Sequence, residues 1–318
     1  MRLDRLATTV MVLVSICIMT FGAPARAEDS LTVLLDWFVN PDHAPLIVAL
    51  EAGFFANQGL TVDLIAPADP NDPPKLVAAG KADIAVTYQP QLQLQVAQGL
   101  PLVRFATLVA TPLNTLVVLA DGPVATIADL KGRKVGFSVG GLEDALLGAM
   151  LARHGLGLDD VTLVNVNFSL SPALITGQVD AVIGAYRNFE LNQMDLAGHP
   201  GRAFYVEEEG VPAYDELILV AHRERTDDQR LRRFLDALEL ATQYLVNHSE
   251  ESWVLFVRGR PEVDNELNRR AWRDTLSRFA LRPAALDRAR YRRFAAFLVE
   301  RGLIAEALPV ADYAVELP

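Results

Sequence analysis

The chain has 318 residues, 51% of them apolar and 22% charged, with one cysteine and a formal net charge of −11 at pH 7. So acidic a chain is unsuited to nucleic acid or an anionic membrane surface, although a cleft can differ in charge from the surface around it. One cysteine cannot form an internal disulfide, and five scattered histidines lack the close spacing of a zinc site, so no metal is expected.

Arg2 and Arg5 precede an apolar run from Leu6 to Phe21, and Ala25-Arg26-Ala27 supplies small residues at the −3 and −1 positions of a signal-peptidase site. Residues 1–27 therefore read as a secretory signal cleaved after Ala27, which places the mature chain in the periplasm. The run is shorter than the ~20 apolar residues of a spanning helix, and Ile16 is branched where a lipoprotein signal at Cys17 needs a small residue. Cleavage removes Cys17 with three arginines and one aspartate, leaving 291 residues with a net charge of −13.

Leu31 to Asp36 reads as a strand ending at Trp37, followed by a helix through Ile47–Ala52 that stops at Gly53 and a strand at 60–65. Asp72 is placed to cap a helix with Pro73 and Pro74 in its first turn, where a missing N–H costs nothing. A strand at 83–87, a helix near 90–98 and a strand at 102–109 complete a first lobe. Asn114–Leu119 reads as the crossing into a second lobe with strands at 134–138, 162–166, 179–185 and 203–206, and Glu216–Ala221 as the return. Two crossings between lobes form a hinge. From Thr226 to Leu303 the pattern is helical, with Leu231, Phe234, Leu235, Leu238 and Leu240 on one face, Trp253, Phe256 and Trp272 as core, and Arg282, Arg288, Arg290, Arg292 and Arg293 as a solvated cluster. The expected division is a signal at 1–27, a first lobe at 28–113 and 222–318, and a second lobe at 114–221, in the α/β class.

One pattern occurs twice. Pro74 to Asp83, then Ile84-Ala85-Val86 and Tyr88, repeats as Pro172 to Asp180, then Ala181-Val182-Ile183 and Tyr186. Each copy reads as a short helix, a glycine stop and a buried strand with a tyrosine just beyond it. Ligands of open α/β sheets bind beyond the carboxyl ends of strands, so the pair suggests an aromatic clamp between two similar lobes. Trp37 adds a third flat face beside Asn40, Asp42 and His43, where the plainer reading makes Trp37 a core lid and Asp42 a helix cap. Asn188 and Glu190 follow Tyr186 closely enough to reach the edge of a ring stacked on it. An amide pairs with an aminopyrimidine edge as asparagine does with adenine, and a carboxylate accepts from the amine and a protonated ring nitrogen. The plainer role for Glu190 is a favourable charge at a helix start. Gly136-Phe137-Ser138-Val139-Gly140-Gly141 lacks the spacing of a P-loop or dinucleotide turn and reads as a strand-to-helix turn with N–H donors free to face the cleft.

These segments, with Pro67–Pro73 and Pro212–Leu217, resemble the NMT1/THI5-like family of periplasmic binding proteins, and within it the formylaminopyrimidine-binding (ThiY-type) branch that serves ABC importers of thiamin precursors. The resemblance spans 31–222 and is looser in the helical tail. It implies a two-lobed type II periplasmic-binding fold, a monomer that passes a small pyrimidine to a permease, and no chemistry or cofactor. It further implies Trp37, Tyr88 and Tyr186 as stacking faces and Glu190 as the edge contact, with Asn40, His43, Asn114 and Asn188 as further polar contacts. A fungal member of the family makes the thiamin pyrimidine from its own histidine and a lysine-bound pyridoxal phosphate. Here Thr87 and Tyr88 stand where that lysine would fall and the cysteine-rich motif is missing, while His43 remains. A receptor for another flat heterocycle, such as riboflavin, would share the same fold.

Overall fold

Short β-branched and aliphatic runs build two five-stranded sheets in the computed structural model, which describes residues 29–317. The secretory signal assigned to 1–27 lies outside the described residues. In chain order the first half runs β1 (Asp29–Leu34), α1 (Ala44–Glu51), α2 (Phe54–Asn57), β2 (Leu60–Ile65), α3 (Pro73–Ala78), β3 (Ile84–Thr87), α4 (Gln89–Ala97) and β4 (Leu102–Val109). There follow β5 (Asn114–Leu119), β6 (Lys134–Phe137), α5 (Leu142–Arg153), β7 (Thr162–Asn165), α6 (Leu170–Ile175), β8 (Ala181–Tyr186), α7 (Glu190–Leu196), β9 (Gly201–Tyr205) and β10 (Leu217–His222). The tail is α8 (Gln229–Asn247), α9 (Ser249–Val257), α10 (Glu266–Thr275) and α11 (Arg288–Glu300).

The sheets are ordered β2-β1-β3-β10-β4 and β7-β6-β8-β5-β9, so each has four strands in one direction and one reversed strand, β10 or β5, antiparallel to both of its neighbours in corresponding places. The repeated segments occupy equivalent central positions: α3 and α6 stop near Gly80 and Gly177, both left-handed at φ +68° and +73°, and lead into β3 and β8. Asp72 stands ahead of α3, but its side chain makes no capping hydrogen bond.

β5 bonds only to β8 and β9, and β10 only to β3 and β4. The passages between sheets are therefore the segments 110–113 and 206–216, ahead of these strands rather than along them. Glu216 ties the two passages together. Its Oε2 accepts from the backbone N–H of Leu113 (2.5 Å) and Asn114 (2.9 Å) and from the Tyr214 hydroxyl (3.1 Å).

The tail covers the first sheet: Leu231, Phe234, Leu235 and Leu238 of α8 are buried with Trp253, Phe256 and Trp272, whereas Leu240 is exposed. The arginine cluster is not wholly solvated. Arg290 is partly buried, donates to the Ala110 carbonyl (2.7 Å) and pairs with buried Asp215, whose carboxyl also takes Thr107 Oγ1 (2.9 Å). The tail thus fastens both passages to the first sheet.

Candidate functional site

The carboxyl ends of β1, β3, β6 and β8 face one another across a cavity. Its wall includes Trp37, Tyr88 and Tyr186, the polar residues Asp36, Asn40, Asp42, Asn114, Glu143 and Glu190, and the apolar or small residues Val139, Leu142, Leu170, Gly184 and Phe189. Among the described residues, no lysine, arginine or histidine lines it. Across the mouth, the Trp37 ring meets Phe168 edge-on at 4.5 Å and Phe38 lies 5.9 Å from Phe189, so aromatic contacts join the lobes.

Six of the eight residues expected from the sequence stand on this wall: Trp37, Asn40, Tyr88, Asn114, Tyr186 and Glu190. His43 and Asn188 stand behind it and hold the carboxylates that do line it. The Nδ1 of His43 accepts from the Asn40 backbone N–H (3.4 Å), which leaves Nε2 to donate to Asp36 Oδ1 (2.8 Å). The other oxygen of Asp36 accepts from the Tyr88 hydroxyl (2.8 Å), so His43, Asp36 and Tyr88 form a chain that fixes the tyrosine ring. Asn188 donates to Asp42 Oδ1 (2.6 Å), which also receives the Thr275 hydroxyl (3.1 Å). Asp42 Oδ2 is buried and has no hydrogen-bond partner among the described residues, and Asp42 stands on the cavity wall. Asp42 is not the helix cap: Asn40 Oδ1 accepts from the Asp42 N–H (2.8 Å) in that role, and Asn40 Nδ2 returns to the Phe38 carbonyl (3.1 Å).

In the second lobe, β8 skips one residue where it pairs with β5, and the residue skipped is Gly184, at φ +98°. Its N–H is taken by Asn114 Oδ1 (3.1 Å). The Tyr186 hydroxyl lies 3.4 Å from Glu216 Oε1. Glu190 begins α7 and accepts from the Tyr186 N–H through Oε2 (2.6 Å), so it serves the helix start and the cavity wall at once. The N–H groups of the glycine turn before α5 are not free. Ser138 N–H goes to Glu143 (2.6 Å), Gly140 N–H to Asn71 of the other lobe (3.0 Å) and Gly141 N–H to Asp144 (3.2 Å).

Burial raises these acids, by more than their hydrogen bonds and, at Asp42, the nearby His43 lower them. It pushes Glu143 and Glu190 up to about 8 and Asp42 up to about 6. Glu143 and Glu190 therefore hold protons at neutral pH while the cavity is empty. A wall of three aromatic faces and four carboxyls is suited to a flat ring that donates hydrogen bonds, and poorly suited to an anion.

Asp36, Asp42 and Glu143 were not singled out from the sequence as wall residues. The first two flank Trp37 and His43 in the segment that drew attention, and the surplus of acids there was the available signal. Glu143 gave none, because only the fold brings α5 against β8.

Comparison with known proteins agrees with the geometry. The NMT1/THI5-like family model matches residues 40–252. A Haemophilus influenzae protein named for thiamine biosynthesis is 55% identical over 92% of this chain and 94% of its own. The formylaminopyrimidine-binding protein of Halalkalibacterium halodurans is 32% identical over 79% and 77%. A Saccharomyces cerevisiae 4-amino-5-hydroxymethyl-2-methylpyrimidine phosphate synthase is 25% identical over 76% and 74%. Among solved structures, the alkanesulfonate-binding protein of Xanthomonas axonopodis superposes with a TM-score of 0.71 at 16% identity, covering 90% of this chain and 97% of that one. A Candida albicans protein described as having the generic periplasmic binding protein fold also scores 0.71, at 17% identity over 91% and 96%. By its sequence, its two-lobed periplasmic-binding fold and its thiamine-related relatives, the chain belongs to the NMT1/THI5-like family.

Proposed function

We propose that this protein is the periplasmic substrate-binding component of an ABC importer. It takes a thiamin-precursor pyrimidine, formylaminopyrimidine or hydroxymethylpyrimidine, between its lobes and delivers it to a permease, acting as a monomer and making or breaking no bond. The observation that carries the reading is the cavity wall: Trp37, Tyr88 and Tyr186 offer stacking faces, and four carboxyls, Asp36, Asp42, Glu143 and Glu190, offer acceptors and protons to a ring, with no cation among them. A planar ring with amino groups and a basic nitrogen matches such a wall, since the amines donate to its acceptors and the nitrogen takes a carboxyl proton. The names of the thiamine-related relatives support the same ligand class, and the apolar run behind Arg2 and Arg5 supports export. The synthase reading has less behind it, since the four lysines, Lys75, Lys81, Lys131 and Lys134, all lie off the wall.

Thermal denaturation tests the ligand. A compound at a hundred times its dissociation constant stabilises the folded state by about 2.7 kcal/mol, a rise on the order of 5 °C for a chain of this size. Either pyrimidine should produce it, and alkanesulfonates and nitrate should not. A rise with the anions and none with the pyrimidines overturns the assignment.

A further inference from the structure

We propose that Glu143 sets the ligand class of this cavity by plugging the N-terminus of α5 with the protein's own carboxyl, which bars ligands bearing a phosphate or sulfonate group. The inference rests on the reading of the cavity as the ligand site and narrows it to pyrimidines with an uncharged substituent.

The N-terminus of a twelve-residue helix reached through Gly140 and Gly141 has the form of an anion-binding turn, with N–H groups and the helix dipole directed at one place. Here three of those turn donors are taken. Asp144 and Asn71 occupy Gly141 and Gly140 toward the outside, and Glu143 turns the other way, into the cavity, and receives Ser138 N–H at 2.6 Å. Capping does not require this, because Asp144 already bonds the N-cap glycine. Glu143 is 3% exposed, so its carboxyl is held and not swung out into water.

A second feature, distant in sequence, is shaped around the same carboxyl. Gly184 is the bulged residue of β8, and a Cβ there would collide with both carboxyl oxygens of Glu143. The empty space above this glycine is where Glu143 sits. An incoming phosphate oxygen would need both that space and the Ser138 N–H. It would also face Asp36, Asp42 and Glu190 with no lysine or arginine to offset its charge. The sulfonate-binding neighbour shows that the fold itself accommodates an anion, so the restriction belongs to these residues.

The test is calorimetry on the mature protein with hydroxymethylpyrimidine and its phosphate monoester, using the wild type, Glu143→Ala and Glu143→Gln, with thermal denaturation in millimolar inorganic phosphate as a separate arm. The wild type should prefer the free alcohol by about 100-fold or more, because the ester meets an occupied donor and acids with no cation beside them on the wall. Glu143→Ala frees Ser138 N–H and the space over Gly184, and should shrink that ratio by at least about tenfold through tighter binding of the ester. Glu143→Gln retains an acceptor in the same place and should keep the ratio. A wild type that binds ester and alcohol equally, or an alanine variant that folds and leaves the ratio unchanged, overturns the proposal. Should neither pyrimidine bind any form, the ligand reading falls and the phosphate arm decides for Glu143 alone. A phosphate-dependent rise in melting temperature confined to Glu143→Ala supports the plug, and no rise overturns it. Where the alanine variant does not fold, Glu143→Ser releases the same donor and is read in the same way.

Discussion

Replacing Glu190 by glutamine should invert the ligand preference at the exocyclic position of the ring. One carboxyl oxygen of Glu190 accepts from the Tyr186 N–H at 2.6 Å, and the residue belongs to the cavity wall. A glutamine there keeps its carbonyl on Tyr186, because two N–H groups cannot face each other, and so turns its amide nitrogen toward the ligand. Where the carboxylate accepts from a ring amino group, the amide presents a donor to a donor. Loss of a charge-assisted hydrogen bond costs about 1.5–3 kcal/mol, or one to two decades of affinity. A 4-oxo analogue, which offers an acceptor at the same position, gains a neutral hydrogen bond of about 0.5–1.5 kcal/mol. The preference between the two ligands therefore moves by roughly 2–4.5 kcal/mol, about one and a half to three decades. Burial holds a proton on Glu190 up to about pH 8, and its transfer to the ring nitrogen of the amino compound is what makes the pair charge-assisted. Calorimetry on both ligands with both proteins closes the cycle. Equal losses for the two ligands, or none for either, would refute the edge contact and leave Glu190 as a group at a helix start.

Two further outcomes are expected. Asn71→Ala removes the paired bonds from Asn71 Nδ2 to the Ser138 carbonyl (3.1 Å) and from Gly140 N–H to Asn71 Oδ1 (3.0 Å), which join the lobes. At about 1 kcal/mol each, stopped-flow release of ligand should quicken by about thirtyfold, and an unchanged rate would show that the pair does not hold the closed form. Stability should also depend on pH in an unusual direction. Glu143 and Glu190 lie near 8, Glu216 near 7 and Asp42 near 6, all raised by burial above the 4.5 and 3.8 of an unfolded chain. Between these limits the folded state binds more protons than the unfolded one, so stability falls as pH rises from about 4.5 to about 8. Below that window Asp69, Asp228 and Asp287, held low by their hydrogen bonds, lose their contribution. The melting temperature of the ligand-free protein should therefore peak near about pH 5, and a higher value at pH 8 would contradict the burial of these acids.

The fold was legible wherever a local pattern sufficed. The two helix-glycine-strand segments, the strands at 60–65 and 102–109 and the tyrosines beyond β3 and β8 all follow from periodicity and glycine stops. The hinge was less so, because an apolar run does not reveal its neighbours: 114–119 and 217–222 look alike, yet each pairs within one sheet only. Arg290 and Leu240 show the same limit from opposite sides, an arginine drawn inward by Asp215 and a leucine left outside a helix face. At the site, the aromatic residues announced themselves by position. The wall carboxyls did not, since Asp42 depends on Asn188 and Thr275, more than a hundred residues away, and Glu143 on a bulge in another strand.

The clasp of Glu216 on Leu113 and Asn114 governs what kind of motion the two halves can make. With both passages tied to one carboxyl, a swing of the halves about that point is expected to cost less than a slide of one past the other, which would break the clasp. Travel in a swing grows with distance from the pivot. Tyr186 touches the pivot through its hydroxyl, so its ring should scarcely shift while the Asn71–Gly140 contact parts. An arriving ring would then meet one face already in place, and only the opposite wall would have to come to it.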